Sequence, residues 1–391
     1  MRLLHTSDWH LGRSLHRADL RDAQAAFLDG LVDVVRSERV DAVLVAGDVY
    51  DRAVPPVEAV TLCESALLRL REAGARVILI SGNHDSATRL GFSARLLDAA
   101  GVHLRTSVAG SAVPVVLADD HGEVAVYAIP YLEPAAVRAD LPPDPADPSL
   151  DAPRGHAGVL GRCLSAARAD LARRGSRSVV LAHAWVTGGQ PTDSERDITV
   201  GGVGSVPAAL FDGFSYVALG HLHRPQELGP ALRYSGSPLA YSFSEAGQAK
   251  GSWLVELGAT GVTFVEQVPA PVPRRLTVLR ATLQEALTAP GYEDLRDDWL
   301  SVTLTDAARP EDAMARLRTR FPHVLVLEWA PQDRRLDDRT YRARIHGLDD
   351  LQVAARFVEH VRGTPALPAE VALLGQAFEA GRLTEHGLAV R

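Results

Sequence analysis

The stretch LISGNHDS, residues 79–86, starts as an apolar strand and ends with Asn83, His84 and Asp85 side by side. A turn followed by a capped helix explains part of this, because Gly-Asn is a turn signal and Asp85 or Ser86 can cap the next helix. It does not explain why polar side chains stand together at the end of a segment that reads as buried. Similar segments recur along the chain, which indicates a site built at strand ends.

Short apolar segments alternate with longer helical patterns over the first 270 residues, which predicts an α/β fold with a buried sheet. The predicted strands span 2–8, 42–48, 76–82, 124–130, 178–184 and 216–222. The helical patterns, with apolar residues at helical spacing, span 19–38, 55–74, 86–101 and 158–175. After residue 241, two strands separated by GATG predict a β-hairpin.

The proline-rich segment VPAPVPRR, residues 268–275, is the best candidate for a domain boundary. Beyond it, up to about residue 330, the order strand, helix, strand, helix, strand predicts a small α/β domain. A charged segment then leads to two amphipathic helices within 349–380, which are too short to build a core of their own. The predicted parts are a first domain at 1–270, a small domain at 271–331, and a charged linker with C-terminal helices at 332–391.

The composition describes a globular chain of 391 residues, 46% hydrophobic, with a net charge of -8. No run of about 18 apolar residues is present to span a bilayer, and the start MRLLHTSDWHLG lacks a signal-peptide pattern, so we expect a cytoplasmic protein without a membrane segment. Cys63 and Cys163 lie in separate helical patterns, which favours buried, inert thiols. The acidic balance does not indicate nucleic-acid binding, although bound metals or a partner can supply positive charge.

Polar side chains follow five of the predicted strands. The segments are SDWHLG at 7–12, AGDVYD at 46–51, SGNHDS at 81–86, LAHAW at 181–185 and LGHLH at 219–223. In α/β sheets, ligands gather outside the carboxyl ends of strands. The five segments are therefore predicted to converge on one cleft.

The side chains of these segments form a set of oxygen and imidazole donors. They are Asp8, His10, Asp48, Asn83, His84, His183, His221 and His223. Such a set suits two hard or borderline divalent ions better than a structural zinc. A two-metal centre needs a bridging carboxylate, and Asp48 is well placed to supply it. Residues i and i+2 of a strand share a face, so Asp8 and His10 can point at one metal if the extended geometry persists, and the same holds for GHLH. His5, beside the first motif, is interpreted as a core histidine.

In this order, the patterns D-x-H, G-D-x-x-D, G-N-H-D, H and G-H-x-H resemble the calcineurin-like metallophosphoesterases, and within them the SbcD family of nuclease subunits. The closeness lies in DWHLGRSLH, GDVYDRAVPP, SGNHDS and the segments 201–226 and 234–246. It covers residues 1–270 strongly and the remainder by position and pattern. The resemblance implies a four-layer α/β/β/α metallophosphoesterase sandwich around a dinuclear metal centre, with a small α/β capping domain and a C-terminal helical tail.

The resemblance also implies roles for the donors. One metal would be held by Asp8, His10, Asp48 and His223, and the other by Asp48, Asn83, His183 and His221. His84 would be the catalytic histidine, a general acid at the scissile phosphate or the leaving oxygen. Neighbouring strand residues point to opposite faces, which suits separate roles for Asn83 and His84. Asp85 either fixes the tautomer of His84 or caps the following helix, and the cap is slightly favoured.

The implied activity is that of a manganese-dependent DNA nuclease, a double-strand 3′–5′ exonuclease and single-strand or hairpin endonuclease acting in DNA repair and recombination at the nucleoid. The implied partners are the SbcC ATPase, which would bind the C-terminal helices in a heterotetramer, and a second copy of this chain. Docking of the tail within the chain is nearly as well supported by pattern. Two alternatives stay open: a small-molecule phosphodiesterase or phosphatase, because GDVYDR also resembles serine/threonine phosphatases, and a non-catalytic scaffold.

Overall fold

The computed structural model describes residues 1–146, 153–196, 198, 204–331 and 347–388, with residues 382–388 as backbone alone. The chain divides into two compact units, Met1–Leu276 and Thr277–Arg391. Most of the predicted charged linker, residues 332–346, lies outside the described residues.

The first unit is built on two six-stranded sheets and a small hairpin. Its strands are β1 (Arg2–Thr6), β2 (Ser14–Leu15), β3 (Ala18–Asp19), β4 (Ala42–Ala46), β5 (Arg76–Ile80), β6 (Val102–Arg105), β7 (Val115–Asp119), β8 (Gly122–Ile129), β9 (Arg177–His183), β10 (Tyr216–Gly220), β11 (Gln226–Gly229), β12 (Leu232–Tyr234), β13 (Gly251–Leu257) and β14 (Val262–Pro269). Its helices are α1 (Arg21–Glu38), α2 (Val57–Glu72), α3 (Ala87–Leu90), α4 (Ala94–Ala99), α5 (Pro134–Val137) and α6 (His156–Arg174).

Both sheets are parallel in their centres. The first has the order β14-β13-β1-β4-β5-β6, with β1, β4, β5 and β6 parallel and the predicted hairpin β13–β14 added antiparallel to β1. The second has the order β11-β12-β10-β9-β8-β7, parallel from β12 to β8, with antiparallel strands at both edges. Parallel strands bring their carboxyl ends to one edge of a sheet, which is where the predicted donors stand.

Three apolar layers hold this unit together. Between the sheets, Leu44 and Ile78 of the first sheet belong to one buried cluster with Leu181 of the second. The outer faces are covered by helices, with Phe27 of α1 buried on the first sheet and Leu164 of α6 on the second. Each such side chain contributes about 1.5–3 kcal/mol on burial. The order helix, sheet, sheet, helix confirms the predicted four-layer sandwich.

The predicted helix at 86–101 is wrong as a single element. It forms two short helices, α3 and α4, with a break between them where Ser93 has a left-handed backbone (φ 61°) that a continuing helix does not tolerate. Cys63 and Cys163 are buried and free, as predicted. Burial raises the pKa of their thiols to about 12 and about 11, which keeps them unreactive.

The second unit follows the predicted order of elements. They are β15 (Leu276–Ala281), α7 (Leu283–Thr288), β16 (Trp299–Leu304), α8 (Ala313–Arg320), β17 (Val324–Trp329), α9 (Asp350–Arg362) and α10 (Pro368–Leu388). The three strands form one sheet in chain order. A capping box between Asp349 and Gln352 starts α9, and Gly363 in the left-handed region ends it. Within the described ranges, no helix combines the length and apolarity needed to cross a bilayer.

Candidate metal centre

The five predicted segments meet at the carboxyl ends of β1, β4, β5, β9 and β10, and all eight donor side chains lie in one connected cluster. Strand pairing sets their placement: β1 lies beside β4 and β4 beside β5, while Gly220 at the end of β10 is in register with His183 at the end of β9. The loops are then joined directly, because the backbone N–H groups of Asp8 and His10 donate to the carbonyls of Gly47 and Asp48, at 3.0 and 2.9 Å.

Strand alternation does not explain why the side chains of Asp8 and His10 point into the cluster. Strand β1 ends at Thr6, and both residues then have left-handed backbone, with φ of 53° and 44°. Asp48 has φ of 49° and His221 has φ of 107°. Non-glycine residues rarely adopt such conformations, which persist only where surrounding contacts over-determine them. The prediction that i and i+2 share an extended face is therefore wrong, although the side chains still converge.

One group of potential ligands consists of Asp8, His10 and His223. All three are buried, and one ligand atom from each lies within 4.8 Å of the others. The two imidazoles meet through their Nε2 atoms, 3.0 Å apart. A carboxylate and two imidazoles in this arrangement can hold one divalent ion.

A second group consists of Asp8, Asp48 and His183, again within 4.8 Å of one another. Asn83 adjoins it, because its Oδ1 lies 2.9 Å from His183 Nε2 and 3.1 Å from His221 Nδ1. The Nδ2 of Asn83 is buried and has no hydrogen-bond partner among the described residues. The amide therefore contacts the cluster through its oxygen. This set of oxygen and nitrogen donors can hold a second ion.

Two carboxylates connect the groups. Asp48 belongs to the second group and also to a third, with His10 and His84, while Asp8 belongs to the first and the second. Asp48 Oδ2 lies 3.5 Å from His183 Nε2 and 3.7 Å from His10 Nε2. Its position between the two groups suits the bridging role predicted from the sequence, whereas the sharing by Asp8 was not foreseen.

His84 stands at the edge of the cluster with one side of its ring fixed. Its Nδ1 lies 2.8 Å from the carbonyl oxygen of Asp51, which can only accept, so Nδ1 carries the hydrogen. Its backbone N–H donates to Asp48 Oδ1 at 2.9 Å, and its ring packs edge-on against His10 with centroids 4.7 Å apart. The Nε2 atom is therefore the one available for proton transfer.

Burial and mutual attraction set the charges of the cluster. Burial raises the pKa of Asp8 to about 6, against the opposing effect of His183. Burial also disfavours the charged form of Asp48, but His183 and His10 outweigh it and hold its pKa well below the usual range. Conversely, burial lowers the pKa of His183, yet Asp48 and Asp8 raise it to about 9. Burial keeps the pKa of His10 and His221 well below the usual value, so both rings are neutral, as metal ligands must be.

Two glycines allow the loops to approach closely beneath the cluster. A Cβ at Gly82 would lie 2.1 Å from Asp48 Oδ1, and a Cβ at Gly220 would lie 1.9 Å from the carbonyl oxygen of Ala46. Neither distance is tolerable for a side-chain carbon. The glycines that precede the donors in sequence are needed here for close packing, because no other residue leaves this space.

Asp85 has neither of the roles expected from the sequence. Its carboxylate accepts the backbone N–H groups of Val49, Tyr50 and Gly82, at 3.1, 2.9 and 2.9 Å. The cap of α3 is Ser86, whose hydroxyl accepts the N–H of Arg89. Asp85 therefore ties the loop after β4 to the loop after β5, which sequence spacing alone does not reveal.

Replacing Asp85 with alanine is expected to loosen both loops at once. Each buried N–H left without an acceptor costs about 1–3 kcal/mol, so the melting temperature and the affinity for a divalent metal should both fall. Calorimetry and manganese titration of the same sample measure the two effects. Asp85→Asn keeps one acceptor oxygen and should fall between the wild type and Asp85→Ala; an Asp85→Ala protein with wild-type stability would contradict this role.

Four residues around His223 were missed by sequence reasoning: Ser194, Glu195, Glu245 and Lys250. Glu195 accepts the backbone N–H of His223 at 2.7 Å, and Lys250 Nζ donates to its carbonyl at 2.8 Å. Burial favours the neutral form of Glu245, but the neighbouring His223 and the charge of Lys250 lower its pKa to about 2. Glu245 lies in the segment 234–246 that carries part of the family resemblance, but nothing in the periodicity of SFSEAGQAKG marks Glu245 or Lys250 as buried.

Comparisons with known proteins agree with this geometry. Residues 1–225 match the family model described as calcineurin-like phosphoesterase. The chain belongs to the calcineurin-like phosphoesterase family. Residues 272–362 match a second model, SbcD_C, whose description reads Type 5 capsule protein repressor C-terminal domain. A phosphoesterase domain followed by an SbcD C-terminal domain is the domain arrangement of an SbcD-like nuclease. This confirms the resemblance predicted from the motifs.

Several solved structures are similar to this chain at low identity. The protein TT1561 of Thermus thermophilus is 13% identical, with 68% of this chain and 98% of that chain covered and a TM-score of 0.39. GAP50, the anchor in the inner membrane complex of Plasmodium, is 10% identical, with 85% and 98% covered and a TM-score of 0.35. At these scores neither similarity bears on the function of this chain.

Proposed function

We propose that this protein is a dinuclear-metal-dependent DNA nuclease subunit, a double-strand 3′–5′ exonuclease and single-strand or hairpin endonuclease that acts with the SbcC ATPase in DNA end processing. The observation that carries the proposal is the position of Asp48 and Asp8 between two groups of buried ligands. That arrangement suits phosphodiester hydrolysis, in which charge on the phosphoryl oxygens must be neutralised at both sides of the reacting phosphorus.

The donors fit two divalent ions, because they combine buried carboxylates, an amide oxygen and imidazoles without a thiolate. In the proposed assignment the first ion is held by Asp8, His10, Asp48 and His223, and the second by Asp48, Asn83, His183 and His221. Manganese is the proposed metal. When bound, two such ions acidify water and neutralise the charge of the phosphoryl group.

His84 supplies the proton in this proposal. Its Nδ1–H is held by the carbonyl of Asp51, so the ring is oriented before substrate arrives and Nε2 is left to face the leaving oxygen. In the proposed mechanism His84 binds no ion and acts as the general acid, although its ring lies within reach of His10 and Asp48.

The test is cleavage of DNA by the purified chain with manganese and SbcC. A labelled linear duplex should shorten and a hairpin should be opened, while chelator-treated protein should do neither. Hydrolysis of cyclic nucleotides without DNA cleavage would instead support the small-molecule phosphodiesterase. Two bound metals with hydrolysis of neither substrate would support the non-catalytic scaffold.

The C-terminal helices are the proposed docking site for SbcC. Phe357 and Val361 lie one helical turn apart on α9 and are 55% and 57% exposed, and Leu373 of α10 is also exposed. The helices are joined by the paired hydrogen bonds of Arg362 with Glu370. Apolar side chains at i and i+4 on an exposed helix are typical of docking into a groove of a partner.

Truncation after residue 331 is expected to release SbcC while leaving manganese binding unchanged, because all proposed ligands lie in the first unit. The double variant Phe357→Asp with Val361→Asp should reduce co-purification of SbcC at least about tenfold, since two exposed apolar side chains proposed to be buried against SbcC would become charged. Arg356→Ala, on the same helix, serves as the control. SbcC retained in full by the truncated chain would place the docking site elsewhere.

The proposed homodimer forms through the surface of α2 and α4. Phe92, which precedes α4, is 80% exposed and Leu96 is 76% exposed. Val57 and Leu68 of α2 are also exposed. Leu68 and Phe92 line one surface pocket. Large apolar side chains together on a surface indicate an interaction site, and self-association through one such face gives a two-fold dimer.

Charged substitutions at Phe92 and Leu96 are expected to convert the dimer to a monomer. Phe92→Asp with Leu96→Asp would place two carboxylates at the contact, and light scattering should then give the mass of one chain. Val113→Asp, at another exposed apolar position, is the control and should stay dimeric. A wild-type protein that is already monomeric would refute the dimer.

DNA is the proposed substrate despite the net charge of -8, because bound metals and the SbcC subunit would supply positive charge near the phosphates. An enzyme that processes DNA ends acts where the bacterial chromosome lies. The proposed location is therefore the cytoplasm, at the nucleoid.

A further inference from the structure

Three polar groups of His223 are held by hydrogen bonds: the ring atom Nδ1, the backbone N–H and the backbone carbonyl. Its Nδ1 lies 2.5 Å from Ser194 Oγ, its backbone N–H donates to Glu195, and its carbonyl accepts from Lys250. His223 is buried, and so are Ser194, Glu245 and Lys250. The ring is thus fixed from the side opposite to the ligand cluster.

The directions of these hydrogen bonds follow from chemistry. Ser194 Oγ lies 2.5 Å from Glu245 Oε1, and a carboxylate can only accept, so the single hydroxyl hydrogen of Ser194 points to Glu245. Lys250 Nζ donates to the other oxygen of Glu245, which keeps that side chain a carboxylate. Ser194 is then left with lone pairs for His223, so Nδ1 must carry the ring hydrogen.

The consequence appears on the other side of the ring. With the hydrogen on Nδ1, Nε2 presents a lone pair toward His10 Nε2, 3.0 Å away, in the first group of ligands. The opposite tautomer would present N–H there and could not bind a cation. Glu245, acting through Ser194, therefore determines which ring nitrogen of His223 carries the hydrogen.

We propose that Ser194 and Glu245 are positioning residues that fix the Nδ1–H tautomer of His223 and so direct Nε2 at the first metal. The inference rests on the proposed function, in which His223 is a ligand. Partners of the outer ring nitrogen commonly set the tautomer of a metal-binding histidine, and their loss lowers metal affinity about 10–100-fold.

Glu245→Gln is the most informative variant, because it alters the relay without removing it. Lys250 is charged and donates to Oε2, so the amide oxygen of the new side chain should stay at Lys250 and its NH₂ should turn to Ser194, with loss of the longer, 3.3 Å hydrogen bond from the backbone N–H of Tyr241. Ser194 would then accept from the amide and donate to His223, which forces the hydrogen onto Nε2. Ser194→Ala instead removes the link and leaves Glu245 Oε1 3.8 Å from Nδ1.

The tautomer is measured by nitrogen NMR of the metal-free, full-length chain with ¹⁵N-labelled histidine, the His223 signals being assigned from their absence in His223→Gln. The wild type should show hydrogen on Nδ1, and Glu245→Gln should show it on Nε2. Manganese titration should then give one weakened site of two, by about 100-fold in Glu245→Gln and about 10-fold in Ser194→Ala. Ser194→Thr keeps the hydroxyl and should restore binding, and Ser178→Ala, at a buried serine of β9, is the control.

A wild-type tautomer in Glu245→Gln would overturn the proposal, and so would unchanged manganese affinity in a protein whose tautomer has reversed. If Glu245→Gln does not fold, the pair Ser194→Ala and Ser194→Thr decides: equal affinities in both would overturn it. Failure of the proposed function can be told apart from failure of this inference, because it would appear in the wild type as absent manganese binding or absent DNA cleavage.

Discussion

DNA cleavage by His84→Gln is expected to fall by about 10²–10⁴-fold, the usual contribution of a general acid, while two manganese ions stay bound. Glutamine can still donate an amide hydrogen toward the Asp51 carbonyl, so the local packing is preserved. It has no transferable proton at the position of Nε2. The measurements are a single-turnover cleavage rate and the metal content of the same protein.

A ligand role is the rival explanation for His84, because its ring lies in a potential ligand group with His10 and Asp48. Loss of one manganese ion from His84→Gln would establish that role and refute the general acid. A diester with a p-nitrophenol leaving group separates the two further, since a good leaving group needs no proton and its hydrolysis should survive in the variant. His121→Gln, at an exposed position, is the matched control.

Asp48→Asn is expected to weaken both metal sites together, with an affinity loss of at least about 100-fold at each and a loss of nearly all cleavage. Asp48 Oδ1 accepts the N–H of His84 at 2.9 Å, and an asparagine oxygen can keep that bond. The NH₂ group would then face His183 and His10, where Oδ2 now lies 3.5 and 3.7 Å away. The variant replaces a shared negative charge with a hydrogen-bond donor aimed at the ligands.

The comparison is with variants that remove a ligand from one group alone. His223→Ala should lower manganese binding by one ion, and His183→Ala should lower it by the other. Asp48→Asn should resemble the sum of the two in a calorimetric titration. One fully occupied site in Asp48→Asn would show that the carboxylate serves a single ion and does not bridge.

Much of the fold and of the donor set could be predicted because the signals are local. An apolar run marks each strand, and each donor segment directly follows such a run, as LISG precedes Asn83 and His84. The elements of the second unit follow the predicted order for the same reason. The failure at 86–101 is also local in origin, since helical spacing of apolar residues does not show that Ser93 adopts a left-handed backbone.

The chemistry of the donors is decided by residue type and order in the chain, so the sequence by itself determined the class of fold, the family and a donor set that can hold divalent ions. The tertiary structure alone decided which atoms meet, because left-handed backbone at Asp8, His10 and Asp48 is imposed by packing from distant segments. It also decided that Asp85 joins two loops and that His223 is held by Ser194, 29 residues away, and through it by Glu245. Hydrogen bonds between residues so far apart in the chain leave no periodic pattern in the sequence, since they depend on which distant segments the fold brings together.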